Sequence, residues 1–280
     1  MVDHELLAPY LDRIGCPAPA APDLAGLRAI VAAHAASVPF ENIDVLLGRG
    51  ARLDLPALAG KLVAGRRGGY CFEQNTLLMA ALRALGFTVE GLAARVVWLR
   101  PVGTIGPRTH MLLRVALPDS AYLVDVGFGG LTLTAPLRFA PHDAQETPHE
   151  PHRLIPCGGD ALELQARFDG AWTPLYRLTP EPQHPIDYEV ANWFTATHPD
   201  GLFTNNLMCA RPDPDCRYAL LNTRLTIRRR GAPAERRELR DAGELAEMLA
   251  RYFHLDLPPG DVALVWAKIA ARQPLCPRPL

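Results

Sequence analysis

Apolar residues recur at helical spacing from Asp3 to Gly86, with breakers at Gly15 and Pro17, at Pro22, at Pro39 and across 48–50. That stretch reads as a helical domain. Its clearest helix starts near Cys71, where Leu77, Leu78, Ala81, Leu82 and Leu85 form one stripe before a stop at Gly86. Cys71 therefore falls at a helix amino terminus. Beyond Gly86 the period shortens to that of strands, best at 94–99, 111–117 and 122–126. It continues more weakly through 162–168 and 172–178, around an Asp169-Gly170 hairpin signal. Residues 140–156, rich in proline and histidine, read as a surface loop. After Tyr188 a short helix leads to Asn205, a strand pair spans 218–239 with its turn at 231–233, and a last helix covers 242–252 before the tail. The pattern predicts an α+β chain: helices, then an antiparallel sheet or barrel, then a mixed α/β end.

At 280 residues the chain can bury a sizeable core, and 49% apolar with 21% charged residues excludes a disordered or collagen-like protein. A net charge of −1 gives no global field for nucleic acid or an anionic membrane. Lys61 and Lys268 alone offer amine nucleophiles, and Ser37 and Ser120 sit in no G-x-S-x-G elbow, which argues against a serine hydrolase. The six cysteines form no C-x-x-C pair and fit reduced thiols. No signal-like or membrane-length apolar run is visible, so a cytoplasmic protein is expected.

The most informative stretch is Arg66-Arg67-Gly68-Gly69-Tyr70-Cys71-Phe72-Glu73-Gln74-Asn75. Paired glycines permit a tight turn before the helix, and a helix start favours an anion such as a thiolate. Most free cysteines are inert packing, so the thiol needs a base and a third group that orients the base. His110 opens a strand directly after a turn-prone segment, and Asp125 is a lone acid in the apolar run 122–126, costly to bury unless paired. With a four-residue connection at 116–119, Val115 faces Ser120 and His110 lies opposite Asp125 on one face. With a turn centred on Asp119 the two drift apart by several residues. On these residues alone Asp125 could instead be satisfied by backbone N–H groups or Arg114, and His110 by the core.

Val38-Pro39-Phe40-Glu41-Asn42-Ile43-Asp44, the Arg67 to Asn75 stretch, Thr109-His110, and Tyr122-Leu123-Val124-Asp125-Val126-Gly127-Phe128-Gly129-Gly130 together resemble the arylamine N-acetyltransferases in order and spacing. The resemblance covers the first two thirds of the chain, is less distinct over 192–203 and fades toward the carboxyl end. It implies a helical bundle over 1–88 that carries the nucleophile, a β-barrel over 89–190 that carries the histidine and the acid, an interdomain helical segment over 191–205 and an α/β lid over 206–280. It implies that Cys71 accepts the acetyl group, His110 is the base and Asp125 orients the imidazole. By the same resemblance Phe40, Phe128 and Phe203 line the acceptor pocket, Trp98, Thr109 and Gly129 lie near the coenzyme, and Glu41 and Arg67 form a bracing ion pair. Gly201 departs from a family serine. The implied activity is ping-pong transfer from acetyl-coenzyme A to aromatic amines, hydrazines or hydroxylamines, with no metal.

The same three residue types also serve papain-like proteases and transglutaminases, and an amide synthase of the same family is a further alternative. Papain-like enzymes place a glutamine shortly before the nucleophile; residues 63–70 contain none. His142, His149 and His152 with Asp143, Glu146 and Glu150 match no usual zinc spacing. Arg228, Arg229 and Arg230 with Arg236 and Arg237 form a basic hairpin that either faces coenzyme phosphates or is a solvated edge.

Overall fold

The computed structural model describes residues 2–270 apart from 102, 142 and 143. His142 and Asp143 of the histidine-rich segment, and Cys276 in the tail, lie outside the described residues. The chain opens with helices α1 (Val2–Ile14) and α2 (Leu24–Ser37), the latter capped by Asp23, whose carboxylate accepts the Gly26 N–H at 2.8 Å. A two-residue strand β1 (Phe40–Glu41), short helices α3 (Ile43–Leu46) and α4 (Leu55–Leu58) and a π-helical turn (Ala59–Ala64) lead to α5 (Cys71–Ala84). Gly86 closes α5 at φ 87°, a left-handed stop that suits a glycine.

Seven antiparallel strands follow: β2 (Thr88–Val96), β3 (His110–Ala116), β4 (Ala121–Val124), β5 (Leu137–Arg138), β6 (His152–Pro156), β7 (Leu162–Phe168) and β8 (Ala171–Leu178). They lie in the order β5-β4-β3-β2-β8-β7-β6, an almost closed barrel. The Asp169-Gly170 turn has φ of 49° and 81°, the pair of positive values that a type I′ hairpin needs. After α6 (Pro185–Thr197) and α7 (Leu202–Asn205) come β9 (Met208–Asp213), β10 (Cys216–Leu221), β11 (Arg224–Arg229) and β12 (Glu235–Glu238), then α8 (Ala242–Phe253) and α9 (Pro259–Ile269). The second sheet has the order β1-β9-β10-β11-β12. No helix among the described residues is long and apolar enough to cross a membrane.

Several elements differ from the sequence pattern. The first strand of the barrel starts at Thr88, because one face of residues 88–93 packs on α5 and masks the alternation. The strand pair expected over 218–239 is three strands: Asn222, at φ 52°, makes a turn before the one near Gly231. The tail contains α9, which seals the C-terminal core through Val262, Val265 and Ile269. The stretch 140–156 is not all loop, since His152 is fully buried on β6. The helical part also contains β1, and Ile43 and Leu46 belong to the C-terminal core instead of the core between the helices.

Candidate active site

Close approach holds Cys71 in place. Gly68 lies so near the Pro39 carbonyl that an added Cβ would stand 2.1 Å from its oxygen, and Gly69 exchanges backbone hydrogen bonds with Pro39 and Glu41 at 3.2 and 3.1 Å. Neither glycine needs a positive φ, so contact with β1 explains the pair better than a tight turn. The Glu73 carboxylate accepts the Tyr70 N–H at 3.1 Å and thereby caps α5. Glu73 also pairs with Lys61 at 2.8 Å, while Arg67 reaches Glu41 at 2.7 Å, the ion pair the resemblance implies. Burial raises Glu73 to about 7 against the pull of Lys61. These paired charges fix the loop that ends at the thiol, since a lone buried ion would cost several kcal/mol, in the range of about 3–5.

The β3–β4 hairpin turns through two residues, Pro118 and Asp119, with Val115 opposite Tyr122 and Leu113 opposite Val124. That register puts His110 two positions out of line with Asp125, and Asp125 lies just past the end of β4. Neither connection considered from sequence is the one adopted. A two-residue offset keeps both side chains on one face, within diagonal reach for a long side chain. His110 Nε2 and Asp125 Oδ2 are 2.7 Å apart. Burial alone would lower the imidazole pKa, but the charge of Asp125, with hydrogen bonds to Asp125 and Cys71, raises it to about 10. The Cys71 sulfur also lies 3.8 Å from the Thr109 carbonyl oxygen. Cys71, His110 and Asp125 are all buried, so chemistry here is screened from bulk water.

The remaining sequence-predicted aromatic residues form two pairs. Phe128 stands edge-on to the His110 ring at 5.4 Å and packs on Trp98 at 5.6 Å. Phe40 and Phe203 face each other at 5.8 Å, and Gly129, at φ 92°, lies against the Phe40 ring. Gly201 stands at the N-cap of α7 and offers it no side-chain cap.

Four residues of the site carry roles that sequence reasoning did not assign. Asn75, one turn after Cys71, donates to Asp125 Oδ1 at 3.2 Å and to the Met111 carbonyl at 2.8 Å, and accepts the Val126 N–H. Its i, i+4 spacing from Cys71 was a readable signal. Gly127 lets the segment after β4 close on the helix; a Cβ there would stand 2.5 Å from the Cys71 Cα. Asn42 donates to the Phe203 and Asn206 carbonyls at 2.8 and 2.7 Å and so fixes the segment that carries Phe203. Tyr176, from the distant β8, packs tilted against the His110 ring at 4.9 Å; burial, aided by the Asp125 charge, pushes its pKa far up. Of the histidine-rich segment, Glu150 pairs with Arg217 at 2.6 Å and His149 bonds to Thr134 and the Asp213 carbonyl. Among the described residues no group of three or more acidic, histidine or cysteine side chains is placed to hold a metal ion.

A family model described as N-acetyltransferase matches residues 23–262. An arylamine N-acetyltransferase of Mycolicibacterium smegmatis is 47% identical over 92% of this chain and 94% of its own. An arylamine N-acetyltransferase / N-hydroxyarylamine O-acetyltransferase of Salmonella typhimurium is 38% identical over 94% and 93%. The solved structure of the Mycobacterium marinum arylamine N-acetyltransferase in complex with CoA superposes with a TM-score of 0.89 at 40% identity, covering 94% of this chain and 99% of that one.

Proposed function

We propose that this chain, which belongs to the arylamine N-acetyltransferase family, transfers an acetyl group from acetyl-coenzyme A to an aromatic amine by way of a thioester on Cys71. His110 already holds the proton given up by Cys71, and the sulfur anion attacks the thioester carbonyl. The bond from that carbon to the coenzyme sulfur breaks, and the leaving thiolate takes the proton back from His110. An amine nitrogen then attacks the acetyl-Cys71 carbon, His110 accepts the proton that the nitrogen loses, and the cysteine sulfur is released. Asp125 holds the imidazole in orientation and stabilises its cationic form. The first backbone N–H groups of α5 have no partner inside the helix and can receive the oxyanion, the Cys71 N–H among them.

The observation that carries this reading is the 2.7 Å contact of His110 with Asp125 at the head of the helix that starts with Cys71. The paired Phe40 and Phe203 rings favour a flat aromatic acceptor, which at neutral pH is unprotonated and nucleophilic. A cytoplasmic setting suits the free thiols of Cys16, Cys71, Cys157, Cys209 and Cys216. Incubation with acetyl-coenzyme A without acceptor, followed by peptide mass mapping, tests the reading. It expects one acetyl on Cys71 that an added aniline removes; an unmodified Cys71 overturns it.

A further inference from the structure

Helix α6 buries Tyr188, Asn192 and Ala196, spaced about one turn apart along a single face. Tyr188 donates its hydroxyl to the Leu92 carbonyl at 3.2 Å and docks the helix on the barrel, while Ala196 packs in the core between the helices. Asn192, between them, serves neither contact. Its Oδ1 accepts the hydroxyl of Tyr70, and its Nδ2 donates to the Ala51 carbonyl at 2.9 Å. Both ends of the amide are used, which fixes the way it faces.

Tyr70 is the residue before the nucleophile and is fully buried. Burial, with the charges of Glu73 and Cys71, pushes its pKa up, so the phenol keeps a proton to donate. Its ring stands edge-on to Phe203 at 5.7 Å and to Phe72 at 5.6 Å. Phe203, partly exposed, therefore touches Tyr70 as well as Phe40. Asn42 holds the Phe203 backbone, but the Phe203 ring has no polar group and takes its direction from the rings against it. A Tyr70 hydroxyl left unpaired in this interior would carry a desolvation cost that the ring can relieve only by moving.

We propose that Asn192 is a positioning residue for the acceptor: by anchoring the Tyr70 hydroxyl it sets the Tyr70 ring, and through that ring the Phe203 face against which an aromatic amine lies. The inference rests on the reading that acetyl-Cys71 passes its group to an aromatic amine. Asn192 makes no hydrogen bond to Cys71, His110 or Asp125, so it governs the choice among acceptors and not the acylation of the sulfur. Acceptors that carry a ring depend on it; hydrazine, which has none, does not.

Asn192→Leu, Tyr70→Phe and the double variant are compared with the parent in single-turnover acetylation of Cys71 and in turnover with aniline or hydrazine. Asn192→Leu is expected to raise KM for aniline about fivefold, the scale of one ring-to-ring contact, with Cys71 acetylation and kcat/KM for hydrazine each within about twofold of the parent. Tyr70→Phe is expected to raise KM for aniline to a similar degree, and the double variant no further, because both substitutions cut the same tether. In urea titrations the double variant is expected to regain part of the midpoint lost by Asn192→Leu, since no hydroxyl is then left unpaired. A KM for aniline that recovers along with the midpoint marks a purely structural role and overturns the proposal. Equal losses for aniline and hydrazine, or KM increases that multiply in the double variant, overturn it as well. Should Asn192→Leu fail to fold, Tyr70→Phe decides alone, and an unchanged KM for aniline refutes the tether. A parent Cys71 that stays unacetylated sinks the underlying reaction, whereas an acetylated Cys71 with unaltered acceptor preference in the variants sinks this inference only.

Discussion

Two buried histidines of this molecule sit in regions that look alike by burial and differ in charge. His34, in the core between α1 and α2, is fully buried and hydrogen-bonds the Tyr10 hydroxyl at 2.9 Å. Burial lowers its pKa to about 3, so it stays neutral. His110, at the junction of α5 and the barrel, is 3% exposed yet is raised to about 10. The difference is a carboxylate 2.7 Å away. Desolvation pushes both rings toward the neutral form, and at His110 Asp125, with a smaller contribution from Cys71, outweighs it, as expected for opposite charges in contact away from water. A histidine ready for proton transfer is told from a packing histidine by its neighbour.

Asp125→Asn should abolish this contrast and have the largest effect. With the charge removed, desolvation prevails at His110, and kcat/KM for arylamine acetylation is expected to fall by about 10³–10⁴-fold. An NMR titration should find the ring neutral at pH 7; a variant that keeps a charged His110 and full activity would refute the assignment. Next comes Gly127→Ala, whose Cβ would stand 2.5 Å from the Cys71 Cα. The helix must back away, and a displacement of roughly 1 Å should cost about 10²-fold in Cys71 acetylation, readable as single-turnover kinetics with His110 still charged.

The two regions should also separate in stability against pH. The folded pKa of His34 lies below that of a free imidazole, so its contribution is complete above pH ~6.5 and is lost as pH falls toward about 3. His110 has the reverse sign: its contribution is complete below pH ~6.5 and is lost as pH rises through about 10. Urea titrations across pH should show that His34→Leu flattens the acid limb and Asp125→Asn the alkaline limb, each on the order of a few kcal/mol; a variant that flattens the other limb would contradict the contrast. Smallest is Tyr10→Phe, which removes one neutral hydrogen bond. It should cost about 1 kcal/mol of stability, with unchanged acetyl transfer in the same assay.

Much of this site could be read from the chain because its parts are local signals. Cys71 shows itself through the glycine pair before it and the apolar stripe after it, and Asp125 through the apolar residues around it. What could not be read depends on distant parts meeting. Tyr176 reaches His110 from β8, and Asn42 meets Phe203 across 161 positions. The two-residue turn at Pro118-Asp119 eluded the pattern because its register alternatives differ by only a few positions and leave the same residues apolar. Strand β1 was masked by helical spacing on both sides, and α9 by its place in what looked like a tail.

Strand β1 also has a temporal consequence. Phe40 and Glu41 find their strand partners in β9, Ala210 and Cys209, only after some 170 further residues have been added to the chain. While the polypeptide is still emerging from the ribosome, the thiol helix and the barrel can form, but β1 has no neighbour on its β9 side. The edge of β1 is therefore completed last, during synthesis as well as in space, and a truncated product would carry Cys71 without the strand that backs Phe40.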